Sequence, residues 1–173
     1  TLEIREPELK FDLTSLYQVT DQQPGELTVR VVQGEEILST FKSEVQVLSV
    51  NSWTGESPAD QSTKALAAFV QPQHPSLNKV RKIMAEIMEQ SGLSPLLSGY
   101  QGDAKEVRAM VKAAYQAMQS LGLTYIDPPA SWDLQGAGGA AQRIRGPEQV
   151  IDMREGTCLD RTVVFASLLE SIG

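Results

Sequence analysis

Cysteine and histidine each occur once in this 173-residue sequence, as Cys158 and His74. A single cysteine excludes an intrachain disulfide and favours a reducing compartment. One Cys and one His fall short of the four ligands of a structural zinc site, so neither a metal nor a cofactor is expected. Basic residues are also in short supply. Fifteen Lys and Arg face 22 Asp and Glu, for a formal net charge of −7. That balance offers no basic footprint for nucleic acid and no polybasic patch for an anionic membrane. No apolar run approaches the ~18–20 residues of a membrane span. The N-terminus lacks a signal peptide's basic region and apolar core, and it lacks an initiator Met, so the chain is expected to be a piece of a longer protein. Phosphate-cradling glycine loops are missing too. Gly136-Ala137-Gly138-Gly139 precedes no strand-to-helix switch.

What is present divides in two. Residues 1–70 carry 11 acids and 5 bases, and residues 71–173 carry 11 acids and 10 bases. Hydrophobic residues make up 41% and charged residues 21%, as in globular chains. The first part reads as strands. Residues 27–32 are β-rich, Gln33-Gly34-Glu35 is a turn signal, 36–42 follow, and 45–50 alternate apolar and polar. A further strand is expected within 9–19. Short strands and turns over residues 1–56 predict a small antiparallel β-sandwich.

From residue 57 the apolar period becomes helical. A short helix is expected within 59–70. The next places Leu77, Val80, Ile83, Met84, Ile87 and Met88 on one face and stops at Ser91-Gly92. Asp103 N-caps a third, whose apolar set is Val107, Met110, Val111, Ala114, Met118 and Leu121, with Gly122 just past its end. Residues 123–126 read as extended, 127–132 as non-helical and 137–140 as a loop. Pro147 opens a short helix that Gly156 is expected to close. A last helix fills 157–172. It has almost no polar face, so it must be wrapped on several sides. The fold class expected is α+β, with the second domain incomplete at its C-terminus.

Thr157-x-x-Asp160 fits a capping box, which puts Cys158 at the first helical position. Unpaired N–H groups and the positive end of the helix dipole converge there. The thiolate is the nucleophilic form of cysteine, and the residue's own N–H is placed to join an oxyanion hole. The competing reading is that a lone free cysteine is a small buried hydrophobe. His74, the sole histidine, sits in a Pro-flanked loop 84 positions before the cysteine and reads as a surface residue.

Arg154-x-Gly156-x-Cys158-x-Asp160, preceded by Pro147 and Val150 and followed by Phe165, Ala166, Leu168, Leu169 and Gly173, resembles the nucleophile segment of transglutaminase-like cysteine domains. A broader likeness involves Asn51-x-Trp53-x-Gly55, the 67–75 segment through His74, Ser98-Gly99-Tyr100-Gln101, the 125–131 segment and Gln142-x-Ile144-Arg145. It is similar to a module of very large bacterial proteins, in which a β-sandwich and a transglutaminase-like domain precede a helicase-like ATPase. The resemblance implies a cytoplasmic bacterial protein and a papain-like Cys–His–Asp arrangement. It maps Cys158 as nucleophile and Asp160 as a helix-start residue, not as the triad acid. The family His and Asp lie on strands after the cysteine helix. Gln142 is the candidate oxyanion stabiliser, and Trp132 is either a wall of the cleft or plain core. The activity implied is acyl transfer, or amide or isopeptide hydrolysis, through a thioester on a protein or peptide substrate. The fragment itself is expected to be inactive. The alternative is a non-catalytic binding or regulatory module. Self-association through the incomplete face is also expected.

Overall fold

The structure is a computed structural model. It describes Lys10, residues 12–54, 61–127 and 141–173, and the side chains of all these except 61–63. The chain forms two units, Thr1–Ser52 and Trp53–Gly173. The architecture is mixed, with helices and small sheets. Trp132 and the loop expected at 137–140 lie outside the described residues.

The first unit is a hairpin preceded by a short helix. β1 (Gln23–Gln33) and β2 (Glu36–Val47) pair antiparallel. Gly34 carries the turn at φ 61°, a conformation glycine adopts without steric cost. The expected strands at 36–42 and 45–50 are largely one strand, because Ser43 and Glu44 continue the ladder opposite Leu27 and Glu26. The register sorts the faces. Leu27, Val29 and Val31 stand with Phe41 and Val45 on one side, while Glu26, Thr28 and Arg30 stand with Thr40, Lys42 and Glu44 on the other. Lys42 reaches Glu26 at 2.8 Å across the polar face. The apolar face is open, with Phe41 62% and Val29 49% exposed.

One expectation is met only in part and another is corrected here. The described residues of the first unit form one two-stranded sheet, and a β-sandwich is not shown. The strand expected within 9–19 is instead α1 (Leu13–Tyr17) where the structure describes it. Asp12 is the reason. Its carboxylate accepts from the Ser15 hydroxyl at 2.6 Å and from the Thr14 N–H at 3.1 Å, which starts a helix where β-propensity alone suggested extension. Those donors hold the Asp12 carboxyl below the usual carboxylate range, the Ser15 hydroxyl most strongly.

The second unit is mainly helical. α2 (Gln61–Leu66) runs into a 3₁₀ turn at Ala67–Phe69. α3 (Leu77–Gln90) buries Leu77, Val80, Met84 and Met88. α4 (Ala104–Ser120) starts at Asp103, whose carboxylate accepts from the N–H groups of Lys105 and Glu106 at 2.8 Å each. Its buried side is Met110, Ala113, Ala114, Ala117 and Met118, and Val111 is exposed. The inward face is thus rotated from the one read off the larger apolar residues. Alanines at 113, 114 and 117 let neighbouring helices approach closely, and that packing outweighs the burial of a single valine. α5 (Pro147–Met153) and α6 (Cys158–Glu170) complete one core with α3 and α4, including Val150, Ile151, Val164 and Leu168.

Four short strands, in two pairs, tie the segments around α6. β3 (Ser52–Thr54), which begins at the boundary between the units, pairs with β5 (Ala141–Arg143). β4 (Thr124–Tyr125) runs parallel to β6 (Glu155–Gly156). α6 is enclosed less completely than its composition suggested. Val163, Val164 and Leu168 are buried, but Phe165, Ala166 and Leu169 are only half-buried.

Candidate functional site

The site is assembled where the chain leaves α5 at Met153 and enters α6 at Cys158, with the β5 segment packed on the helix start. Gly146 and Pro147 open α5 as expected. Its end is different. The helix stops at Met153, and Arg154 takes the left-handed conformation, φ 57° and ψ 36°. Gly156, expected as the closing residue, lies beyond it in β6. Its requirement for glycine is spatial. A Cβ there would meet the Asp160 Cβ at 3.3 Å and the Val150 Cγ1 at 3.5 Å, so the strand passes directly under the helix start.

Thr157 is the N-cap of α6, and the capping box is complete. The Asp160 N–H donates to Thr157 Oγ1 at 3.3 Å, and the Thr157 N–H donates to Asp160 Oδ2 at 2.9 Å. Both side chains are fully buried. A buried carboxylate needs partners to offset desolvation. Asp160 has two more donors, both from Arg145. The backbone N–H reaches Oδ1 at 2.8 Å and Nη1 reaches Oδ2 at 3.2 Å. Gln142, also buried, donates from Nε2 to Thr157 Oγ1 at 2.9 Å. The β5 segment therefore grips the start of α6 at two points, Gln142 on Thr157 and Arg145 on Asp160.

This clamp leaves Cys158 free. The residue is the first of α6 and is exposed, which overturns the reading of a buried small hydrophobe. Its N–H and that of Leu159 have no intrahelical acceptor at that position. Its carbonyl accepts from Thr162 Oγ1 at 2.8 Å. The exposed Cys158 thus sits on a turn held by the clamp, beside N–H groups that have no intrahelical acceptor, a combination suited to a nucleophile and to an oxyanion.

Of the other candidates, Gln142 is brought to the site, but its described bond goes to the cap. Nε2 carries a second hydrogen. His74 is not brought to Cys158. Its Nδ1 accepts from the Ser76 N–H at 3.3 Å. Its loop docks far along α6, where the Gln71 N–H donates to Ser167 Oγ at 2.9 Å. Ser167 lies nine residues beyond the cysteine, about 13 Å along a helix. No group of three or more His, Cys, Asp or Glu residues stands close enough to hold a metal among the described residues.

Two features escaped the sequence reading. Arg145 carried no assigned role, because its partner lies fifteen residues away and only folding brings them together. The second is a groove beside the cysteine face of α6. Arg161, Thr162 and Phe165, at steps of three, four and seven from Cys158, line it together with Tyr115, Met118, Gln119, Gly122 and Leu123. Arg161 is pinned there by donation from Nη2 to the Leu123 carbonyl at 3.0 Å and by the Tyr125 ring, 5.6 Å from its guanidinium. The helical spacing was the available signal. No protein-family model, curated protein or solved structure matches the chain.

Proposed function

We propose that the second unit is part of a transglutaminase-like cysteine domain with Cys158 as nucleophile. The observation that supports this reading is an exposed sulfur at the first residue of α6, held by a capping box that Gln142 and Arg145 cross-tie. The residues of the resemblance each have work in that arrangement. Arg154 turns the chain out of α5, Gly156 makes room under the helix, and Asp160 caps it.

The chemistry is thiolate attack on an amide carbonyl. The C–N bond breaks, the amine leaves with a proton, and a thioester to Cys158 remains until water or a second amine takes the acyl group. The base that the family uses is a histidine on a strand after the cysteine helix, which places it beyond residue 173 in this reading. The β-sandwich belongs to the same reading, and the open apolar face of the β1–β2 hairpin is the surface that such a sandwich would bury. So do a cytoplasmic bacterial setting, a larger helicase-like protein and self-association through an incomplete face. No helix among the described residues is long and apolar enough to cross a membrane.

A second reading, a binding or regulatory module without turnover, is favoured by the position of His74, whose loop docks near Ser167. Two measurements on residues 1–173 test the assignments. Native protein is expected to react with iodoacetamide at Cys158 without denaturant, and a thiol that reacts only after unfolding would overturn the nucleophile assignment. Amidase and transamidase turnover is expected to be undetectable. Turnover by this chain, lost in C158A, would overturn the placement of the base beyond it.

A further inference from the structure

The outward face of α4 carries Lys105, Arg108 and Lys112 at steps of three and four, followed by Tyr115 and Gln119 on the same side. All five are exposed. None of the three cations has an ion-pair partner among the described residues. The acids of this helix and its cap are directed elsewhere. Asp103 is committed to the helix N-terminus, and Glu106 lies by Gly102 and lines a different cavity, with Met88 and Leu96. In a chain of net charge −7, α4 therefore presents a one-sided basic stripe. From Lys105 to Gln119 it rises about 21 Å at 1.5 Å per residue.

The stripe leads into the groove described above, because Tyr115 and Gln119 belong to both. Beyond them the walls are apolar, with Met118, Leu123 and Phe165. The Tyr115 and Phe165 rings meet edge to face at 6.5 Å, which fixes one wall. A fourth cation, Arg161, stands at the far side, and its buried Nε has no hydrogen-bond partner. The surface thus changes from basic to apolar and ends on a cation.

We propose that this surface docks an extended acidic peptide, with carboxylates along Lys105, Arg108 and Lys112 and one large apolar side chain in the groove between α4 and α6. Charge complementarity selects the acidic class, and the apolar groove selects a peptide over a polyanion without apolar side chains. The cations are spaced about 4.5 and 6 Å along the helix axis, and an extended chain advances about 6.7 Å for each pair of residues, so the long Lys and Arg side chains can follow alternate carboxylates. Single-stranded nucleic acid, with a base in place of the apolar side chain, is the competing occupant. The surface stands independently of the acyl-transfer reading, since docking requires no chemistry at Cys158.

The test is fluorescence anisotropy with residues 1–173 and a fluorescein-labelled peptide of alternating glutamate and serine ending in phenylalanine and leucine. Saturable binding that weakens with added salt is expected. The surface variant K105E/R108E/K112E, checked for folding by circular dichroism, should bind at least tenfold more weakly, and Q119E severalfold more weakly. Replacing the peptide's phenylalanine and leucine by serine should also cost at least tenfold. Failure to saturate, binding unaffected by the charge reversals, or tighter binding of an oligothymidylate of equal charge would each overturn the proposal. Failure here leaves the thiol measurements standing, because they read a different residue.

Discussion

Gln142 Nε2 donates to Thr157 Oγ1 at 2.9 Å, and both side chains are buried. The hydroxyl that caps α6 is therefore itself held from a strand fifteen residues earlier. Replacing Thr157 with alanine should cost about 1–3 kcal/mol, because a cap is lost and a buried amide is stranded. T157S, which keeps the oxygen, should cost well under half as much. Urea denaturation followed by the helical circular dichroism signal decides it. Equal losses in the two variants would show that the hydroxyl contributes nothing.

Asp160 collects three donors, two of them from Arg145. Removing the carboxylate in D160A leaves the Thr157 and Arg145 N–H groups without acceptors. The expected loss is about 2–4 kcal/mol, reduced from a fully buried pair because Arg145 is only half-buried and can be hydrated. A D160A protein as stable as the parent would contradict the clamp.

Two glycines with similar φ values should respond differently to alanine. Gly122 has φ 63° and nothing within 4 Å of an added Cβ, so G122A should cost about 1–2 kcal/mol from the left-handed backbone alone. Gly99 has φ 57°, and its Cβ would fall on the Ile172 carbonyl oxygen. G99A should therefore lose about 3 kcal/mol or more, as the 98–101 turn is forced from the end of α6. Thermal melts of the two variants compare them directly, and an equal shift would mean the close approach is not present in solution.

The short helix α1 should melt in acid. Asp12 has a lowered pKa, so its contribution to the helix is fully present above its unfolded value, near pH 4, and is lost as pH falls through the lower folded value. Titration of the Thr14 and Ser15 amide resonances should show a midpoint below that of an unstructured aspartate. A midpoint at or above the unstructured value would rule out the capping bonds at 2.6–3.1 Å.

Features set within a few residues were legible before folding. Asp103 and the Thr157–Asp160 pair announced their helices, because a cap bonds to N–H groups two or three positions away. The alternation of Val29 and Val31 against Thr28 and Arg30 gave the hairpin its two faces. Asp12 escaped although it is equally local, because five residues are too few to show a helical period.

Tertiary structure decided the rest. Nothing near Val111 in sequence says that it faces solvent while Ala113 and Ala117 face the core. That depends on which helices pack against α4. The sequence determined that α6 begins at Cys158 under a Thr–Asp cap, but not that Gln142 and Arg145 would secure that cap, nor that the loop carrying His74 would be tied through Gln71 to Ser167. Periodicity and capping act over one or two turns of chain. The partner of a buried polar group is chosen only when segments far apart in sequence exclude water together, and for Thr157 and Asp160 that choice fell to β5 and the residues just after it.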